Sequence, residues 1–458
     1  MQIHPSDNVE VRNDGQKYAL CDIRVGEKII KYGFFIGSAT KDILRGEMLS
    51  PLNLRSDLSG TGEWTYEPVE TTAVGGKTAS FMGYLREDGR VGIRNELWIV
   101  PTVGCINDLA KRLAALTGGK ALTHPYGCSQ LGGDLCTTQK FLCGLIRHPN
   151  AGGVLVLGLG CENNRMEDMQ SLLAKSDLSR IRFLNVQDCV NEIEEGTRLL
   201  EELKRLMQTD RRVPVSLSKL RIAVKCGGSD GYSGITANPL VGRSMELFSE
   251  HGGTILMSEM PEIFGAEQLL LSRAVNQEVF DASANMIRAF RQYFIDHGEG
   301  IADNPSPGNV AGGITTLEEK SLGCVQKAGK VPLCGALDFG EEPCSDGGLY
   351  LVNGPGNDMV AVTALAASGA HMILFTTGRG TPLSSVVPTL KISTNTQLAE
   401  KKGHWIDFNA GELLAGADRE SLAEELLALC KEVANGKETV AESNGYYDIA
   451  IFKDGVTL

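Results

Sequence analysis

Four cysteines of this 458-residue chain directly follow a glycine: Cys105, Cys128, Cys161 and Cys324. A cysteine that only fills a core needs no glycine before it, whereas a reactive or metal-binding thiolate needs close approach from a ligand. These four positions are therefore the first candidates for chemistry.

The segment from Lys225 to Gly234, KCGGSDGYSG, places a polar turn directly after an apolar run. Its candidate substrate-binding residues are Gly227, Gly228, Ser229 and Asp230. Glycines let the backbone approach a ligand, and Asn238-Pro239 predicts an N-cap and a helix start that offer free N–H groups to an anion. A strand-to-helix turn without a ligand is the alternative.

A second glycine turn, FTTGRGTP, carries Thr377 and Arg379. A guanidinium there can hold a carboxylate through two hydrogen bonds, so both residues are predicted to bind substrate and Arg379 also to assist catalysis. The alternative for Arg379 is a solvated surface side chain.

Metal ligation is predicted for His124, Cys128, Glu162 and Cys226, because imidazole, thiolate and carboxylate together suit a borderline ion such as iron. His124 could instead be a general base or a structural histidine. Glu259 is a further acid–base candidate, as is Lys327 in the segment 304–330, which reads as a long functional loop.

The elements that must position these residues are short apolar runs alternating with amphipathic helices. Strands are predicted within 96–105, 151–162, 180–188, 220–226, 253–259, 371–378 and 390–394. This alternation is typical of parallel sheets covered by helices on both faces, whose ligands bind at the carboxyl ends of strands. The predicted fold is α/β, with two parallel-sheet domains behind a small all-β module.

The predicted boundaries follow changes in composition. Residues 1–60 form the all-β module, 61–80 a linker, 81–212 the first α/β domain and 213–458 the second.

Composition excludes several classes of protein. A formal charge of −13 argues against nucleic-acid binding. No apolar run could span a bilayer, and the first residues lack the pattern of a signal peptide. Twelve cysteines in a chain of this length indicate reduced thiols and a cytoplasmic protein.

Several long segments resemble the altronate/galactarate dehydratase family, which carries an N-terminal SAF (β-clip) module. They are GYLREDGRVGIRNELWIVPTVGCIN, GLGCENN, CGGSDGYSGITANPLVG, SEMPEIFGAEQLL and FTTGRGTP. The large subunit of sulfolactate sulfo-lyase is related to this family.

The resemblance implies dehydration of a sugar acid to a 2-keto-3-deoxy acid with a divalent metal, Fe²⁺ ahead of Mn²⁺ or Mg²⁺. It also implies a homodimer, and a separate small subunit is an open alternative. An iron–sulfur cluster on Cys105, Cys128, Cys161, Cys226 or Cys324 ranks below a single ion, because no short CxxC pattern occurs.

The chain departs from the family pattern in its front module. Where relatives carry a GHK motif and a later HVHTHN-like segment, it has GQK at 15–17 and EMLSPLN at 47–53, without histidine. It also has NGPGND at 353–358 where sugar-acid dehydratases often have DTPG. Two alternatives therefore stay open, a sulfo-lyase for a sulfonated hydroxy acid and a binding protein descended from a dehydratase.

Overall fold

The apolar runs of the sequence form the strands of two parallel sheets, as predicted. A computed structural model describes all 458 residues. It contains a four-stranded and a seven-stranded parallel sheet, preceded by small antiparallel sheets. None of its helices has the length and apolar character needed to cross a bilayer.

The front module consists of short antiparallel strands. They are β1 (Val9–Val11), β2 (Lys17–Ala19), β3 (Lys28–Lys31), β4 (Phe34–Ala39) and β5 (Leu54–Arg55). β1 pairs with β2, and β4 pairs with both β3 and β5.

The first α/β unit has four parallel strands, β8 (Glu96–Pro101), β9 (Lys120–Ala121), β10 (Ala151–Gly158) and β11 (Ile181–Asn185). Their order in the sheet is β11-β10-β8-β9, and β10 is buried along its whole length. Three further strands, β6 (Ser80–Leu85), β7 (Val91–Gly92) and β12 (Arg212–Ser216), form an antiparallel sheet. The helices are α1 (Asn107–Thr117), α2 (Gly132–Ile146), α3 (Met166–Leu173) and α4 (Glu192–Met207). β12 pairs with β6, so the end of this unit returns to its first strand.

The second unit has seven parallel strands in the order β15-β16-β14-β13-β17-β18-β19. The strands are β13 (Arg221–Cys226), β14 (Thr254–Met257), β15 (Leu333–Leu337), β16 (Gly348–Val352), β17 (Met372–Thr377), β18 (Thr389–Ser393) and β19 (Phe408–Asn409). The helices are α5 (Ala237–Ser249), α6 (Glu267–Leu271), α7 (Gln277–Asp296), α8 (Pro307–Ala311), α9 (Leu317–Cys324), α10 (Asp358–Ala367), α11 (Thr396–Lys401), α12 (Arg419–Ala434) and α13 (Val440–Ser443).

The order of the strands in the second sheet creates a crevice. From β13 the chain continues to one side through β14, and it returns on the other side as β17. Neighbouring strands whose connections diverge in this way leave a gap at their carboxyl ends, where ligands bind in open α/β sheets. The two predicted turns, 227–230 and 377–380, both lie at this switch point.

Two local predictions are wrong. The segment 304–330 is not an open loop, because it forms α8, α9 and a 3-10 turn, Val325–Ala328. Asn238 does not cap α5: it lies inside the helix, where its side chain donates to the carbonyl of Gly323 and accepts from the hydroxyl of Thr376.

A buried ion triad fastens the front module to the second unit. Glu319 in α9 accepts from Lys31 Nζ at 2.7 Å and contacts Lys17 Nζ at 2.8 Å, with all three side chains almost fully buried. Desolvation would raise the pKa of Glu319, but the two lysines outweigh it and lower that pKa to about 2. The carboxylate is thus the shared counter-charge of two buried ammonium groups.

We expect Glu319→Gln to destabilise the protein by about 3–5 kcal/mol, because removing one partner leaves buried charge uncompensated. Urea unfolding followed by circular dichroism measures the loss. Glu432→Gln is the matched control, since Glu432 pairs with Lys437 at the surface, and it should change stability by less than about 0.5 kcal/mol. Equal effects of the two substitutions would contradict this account.

The same triad predicts a dependence on acid. A carboxylate whose pKa is lower in the folded state stabilises the protein at pH values above its unfolded pKa, 4.5, and this contribution is lost as the pH falls towards about 2. We expect Glu319→Gln to flatten the fall of unfolding free energy across that window. Unfolding series at several pH values measure it, and an unchanged slope would argue against the triad.

Candidate functional site

The two turns at the switch point are held together by their backbones. The carbonyl oxygen of Gly228 accepts hydrogen bonds from the N–H groups of Gly378, at 3.1 Å, and Arg379, at 3.0 Å. Thr377 is fully buried beside them, and its hydroxyl accepts from the N–H of Gly380. The structure therefore brings the predicted substrate-binding residues, 227–230, Thr377 and Arg379, to one place.

A polar cavity of about 730 Å³ opens in front of these turns. Asp230 and Arg379 of the second unit line it, together with residues 13–15 of the front module. Lys401 also faces it. The exposed guanidinium of Arg379 has no hydrogen bond or ion pair within the chain, which leaves it available to an anionic ligand.

Asp230 is the buried acid of this cavity. Its carboxylate accepts from the hydroxyls of Ser233 and Thr394 and from the amide of Asn395, at 2.9–3.2 Å. Burial nevertheless dominates and raises the pKa of Asp230. A β-carbon at Gly378 would lie 2.1 Å from this carboxyl carbon, so only glycine fits there.

Behind the cavity lies a second constellation, which we call the buried charge cluster. It contains three lysines, three carboxylates and two cysteines: Lys225, Lys320, Lys327, Glu259, Glu262, Asp358, Cys226 and Cys324. A crevice of about 10 Å³, lined by Cys226, Asp230 and Lys320, lies between cluster and cavity.

Lys327 occupies the centre of the buried charge cluster. Its Nζ lies 2.7 Å from Glu259 Oε2, 2.9 Å from Cys226 Sγ and 3.0 Å from Cys324 Sγ. Lys225 donates to Glu259 as well, and to Asp358 at 2.8 Å. Glu259 has a left-handed backbone, φ 75°, which costs about 1–3 kcal/mol and is retained where surrounding contacts enforce it.

The charges inside the cluster set its protonation. Burial alone would lower the pKa of Lys327, but Cys226, Cys324 and Glu259 carry it well above the ordinary value. The pKa of Cys226 is lowered, first by a hydrogen bond from Cys324 and also by Lys327, whereas that of Cys324 is raised. Lys327 is therefore an ammonium at neutral pH, and Cys226 is the more acidic thiol.

Two thiols and two carboxylates of this cluster have the arrangement of a metal site. One ligand atom from each of Cys226, Glu259, Glu262 and Cys324 lies within 4.8 Å of the others. This donor set suits a borderline divalent ion. The ammonium of Lys327 contacts three of the same four side chains, so a cation and protonated Lys327 compete for one position.

The other predicted metal ligands lie in the first unit, away from Cys226. His124 is buried, its Nε2 donates to the Pro101 carbonyl at 2.8 Å, and its Nδ1 accepts from the N–H of Tyr126. Burial lowers the pKa of His124 to about 4, so the ring is neutral with both nitrogens engaged. In this arrangement His124 offers no free lone pair.

Neither Glu162 nor Cys128 lies in the buried charge cluster. Glu162 accepts from the Thr102 hydroxyl at 2.6 Å and from the N–H groups of Leu159 and Gly160, and so fixes the turn after β10. Cys128 is exposed. The predicted set of four is thus not gathered around one ion.

Sequence reasoning did not single out Lys225 or Asp358 as members of the cluster. Both residues lie near the carboxyl end of a strand of the second sheet: Lys225 near the end of β13, and Asp358 at the start of α10, which follows β16. A charged residue inside an otherwise apolar central strand, such as Lys225, is the signal that could have revealed the cluster.

Three sequence models of one family together match most of the chain. Residues 2–57 match the altronate/galactarate dehydratase SAF domain, residues 83–208 match the second domain of D-galactarate dehydratase/altronate hydrolase, and residues 217–457 match the C-terminal domain of D-galactarate/altronate dehydratase.

Curated relatives agree with that match. The chain is 48% identical to the altronate dehydratase of Bacillus subtilis, over 98% of this chain and 94% of that one. It is 47% identical to the altronate dehydratase of Escherichia coli, over 99% and 94%. The (2R)-sulfolactate sulfo-lyase subunit beta of Chromohalobacter salexigens is 31% identical, over 82% of this chain and 97% of that one. The predicted resemblance, including the relation to the sulfo-lyase, is confirmed.

We expect Lys327→Met to tighten the binding of a divalent ion by at least about tenfold, because the competing ammonium is removed while all four ligands remain. Titration of metal-free protein with Fe²⁺ or Co²⁺ under anaerobic conditions measures the affinity. Lys330→Met, a change at an exposed lysine nearby, should leave it unaltered. Weaker binding in Lys327→Met would mean that the lysine does not compete with the ion.

Proposed function

The chain belongs to the altronate/galactarate dehydratase family, and we propose that it is a hydro-lyase that converts a sugar acid to a 2-keto-3-deoxy acid. Altronate is the first substrate to test, because the two altronate dehydratases are 47–48% identical over almost the whole chain. The observation that carries the proposal within the structure is the cavity that joins buried Asp230 to the unpaired Arg379.

Arg379 is proposed to bind the substrate carboxylate. Its guanidinium is exposed at the cavity, and charge-assisted, bidentate hydrogen bonds are the strong way to hold a planar carboxylate. The positive charge also opposes the second negative charge that develops when the α-proton leaves. The acidic chain, with a net charge of −13, needs such a local cation to receive an anion.

Asp230 is proposed as the general base. Two carboxylates line the cavity, and their surroundings drive their pKa values apart: burial raises that of Asp230, whereas a hydrogen bond from Tyr18 lowers that of Asp14. A base is more effective when its pKa approaches the working pH. The earlier candidates are less suited, because Lys327 is held protonated and His124 has both nitrogens engaged.

The proposed reaction removes the proton from C2 and the hydroxyl from C3 of the sugar acid. Asp230 takes the C2 proton, the electron pair forms the C2–C3 double bond, and the C3 hydroxyl leaves as water after gaining a proton. Lys401, in the same cavity, can donate that proton. The enol then loses the proton of its C2 hydroxyl and gains a proton at C3, which gives the 2-keto-3-deoxy acid.

We also propose that the enzyme uses a divalent metal ion, with Fe²⁺ as the first candidate and Mn²⁺ or Mg²⁺ as alternatives. The residues that would hold it are Cys226, Glu259, Glu262 and Cys324. When bound, such an ion supplies positive charge that stabilises developing negative charge on oxygen. The predicted homodimer, cytoplasmic location and separate small subunit stay predictions.

The competing function is elimination of sulfite from a sulfonated hydroxy acid, favoured by the sulfo-lyase relative. Metal-replete protein should be assayed with altronate, galactarate and sulfolactate, measuring 2-keto-3-deoxy acid and sulfite. Keto acid from a sugar acid supports the proposal. Sulfite from sulfolactate alone would favour the sulfo-lyase, and ligand binding without turnover would favour a binding protein.

We expect Asp230→Asn to lower kcat by about 10²–10⁴-fold, the usual contribution of a general base. In the unsubstituted protein, kcat/KM should rise with pH through a value above the ordinary aspartate pKa of 3.8, because burial raises the pKa of Asp230. Steady-state kinetics from pH 4 to 9 measure both. Asp14→Asn should reduce kcat far less, and equal losses would rule out this assignment.

We expect Arg379→Met to raise KM by about 10–100-fold, since hydrogen bonds to charged groups are worth about 1.5–3 kcal/mol. Arg379→Lys should recover only part of the loss, because an ammonium cannot bind both carboxylate oxygens in the same way. Arg112→Met, at an exposed arginine of α1, is the control. An unchanged KM in Arg379→Met would place the carboxylate elsewhere.

A further inference from the structure

We propose that Cys105, Cys128 and Cys161 together hold an iron–sulfur cluster, at a site separate from the switch-point cavity. We call these three residues the cysteine rim. All three thiols are exposed. Cys105 follows β8, Cys161 follows the adjacent parallel strand β10, and Cys128 follows β9 on the other side of β8. The carboxyl ends of three strands thus present one thiol each on the same edge of the four-stranded sheet.

The backbones that carry these thiols are in direct contact. The N–H of Gly104 donates to the carbonyl of Tyr126 at 2.8 Å, so the segment before Cys128 lies against the segment before Cys105. A β-carbon on Gly127 would lie 2.0 Å from the Thr102 carbonyl oxygen, and glycine alone permits that approach. The glycine before Cys128 is therefore required for the rim to close.

The segment of Cys128 also contacts the turn that contains Cys161. The N–H of Asn164 donates to the carbonyl of Gly127 at 2.9 Å, and the N–H of Ser129 donates to Asn163 Oδ1 at 2.8 Å. Backbone hydrogen bonds therefore tie the segment of Cys128 to the segments of both other rim cysteines.

The three rim sulfurs do not all lie within 4.8 Å of one another, because the buried charge cluster is the one group of three or more His, Cys, Asp or Glu side chains that meets this limit. A single tetrahedral ion with metal–sulfur bonds of about 2.3 Å would need the sulfurs closer together. Soft thiolates spread around a larger centre are the donors that iron–sulfur clusters use.

Neighbouring polar side chains lie within hydrogen-bonding distance of two rim sulfurs. Gln187 donates to Cys161 Sγ at 3.5 Å, and the Ser129 hydroxyl lies 3.9 Å from Cys128 Sγ. Hydrogen bonds to the sulfurs tune the potential of such clusters. Three thiolates also leave one iron of a four-iron cluster without a protein ligand. Binding of the cluster does not depend on the proposed function.

The full-length chain, purified anaerobically and reconstituted with iron and sulfide, tests the proposal. We expect a brown protein with about four acid-labile sulfide and at least about four iron per chain, and an EPR signal of a three-iron form after brief exposure to air. Cys105→Ser, Cys128→Ser and Cys161→Ser should each lose most of the sulfide and the signal. Circular dichroism should show unchanged folding, because the three side chains are exposed.

Matched cysteines outside the rim provide the controls. Cys21→Ser and Cys344→Ser, at exposed positions elsewhere, and Cys226→Ser, in the buried charge cluster, should keep the sulfide content. Unsubstituted protein that holds no acid-labile sulfide after reconstitution would overturn the proposal, as would full sulfide in the rim variants or equal loss in the controls. If such sulfide-free protein still turns over a sugar acid, the cluster is overturned and the proposed function stands.

Discussion

The second α/β unit depends on the neutralisation of charge that it has taken out of water. Lys225, Lys320 and Lys327 are matched by Glu259, Glu262 and Asp358. The groups come from β13, from the turn after β14, from α9 and the turn that follows it, and from the start of α10. Because an unpaired buried charge costs several kcal/mol, these elements are constrained to meet at one point, and the floor of the cavity is fixed with them.

The strands and the general position of the site could be predicted from the sequence, because the signals are local. Apolar runs bounded by polar turns identified β8 and β10 of the first sheet and β13 and β17 of the second, and parallel pairing places the ends of each pair at one edge of its sheet. That reasoning assigned both the 227–230 turn and Arg379 to substrate binding, but it did not show that the two turns meet. It failed at 304–330, where α8 has five residues and α9 is buried on nearly all sides, so neither shows an amphipathic stripe.

The partners within the site could not be predicted, because they are set by packing between distant segments. Nothing in the sequence around His124 shows that backbone groups engage both of its nitrogens. Likewise, the contact of Lys327 with Cys226 joins residues 101 positions apart. His124 and Lys327 were candidates because of their residue types alone. Only the tertiary structure shows that Lys327 is an ammonium ion held by anions and not a free base.

The wall formed by residues 13–15 has a consequence for how such a protein can diversify. One side of the cavity belongs to a separate antiparallel module, while the buried acid and the unpaired arginine belong to the seven-stranded sheet. Changes in the module can reshape the space offered to a ligand without disturbing the residues beneath it, provided that Lys17 and Lys31 still meet Glu319. Selectivity and reactivity can thus be inherited from different parts of one gene.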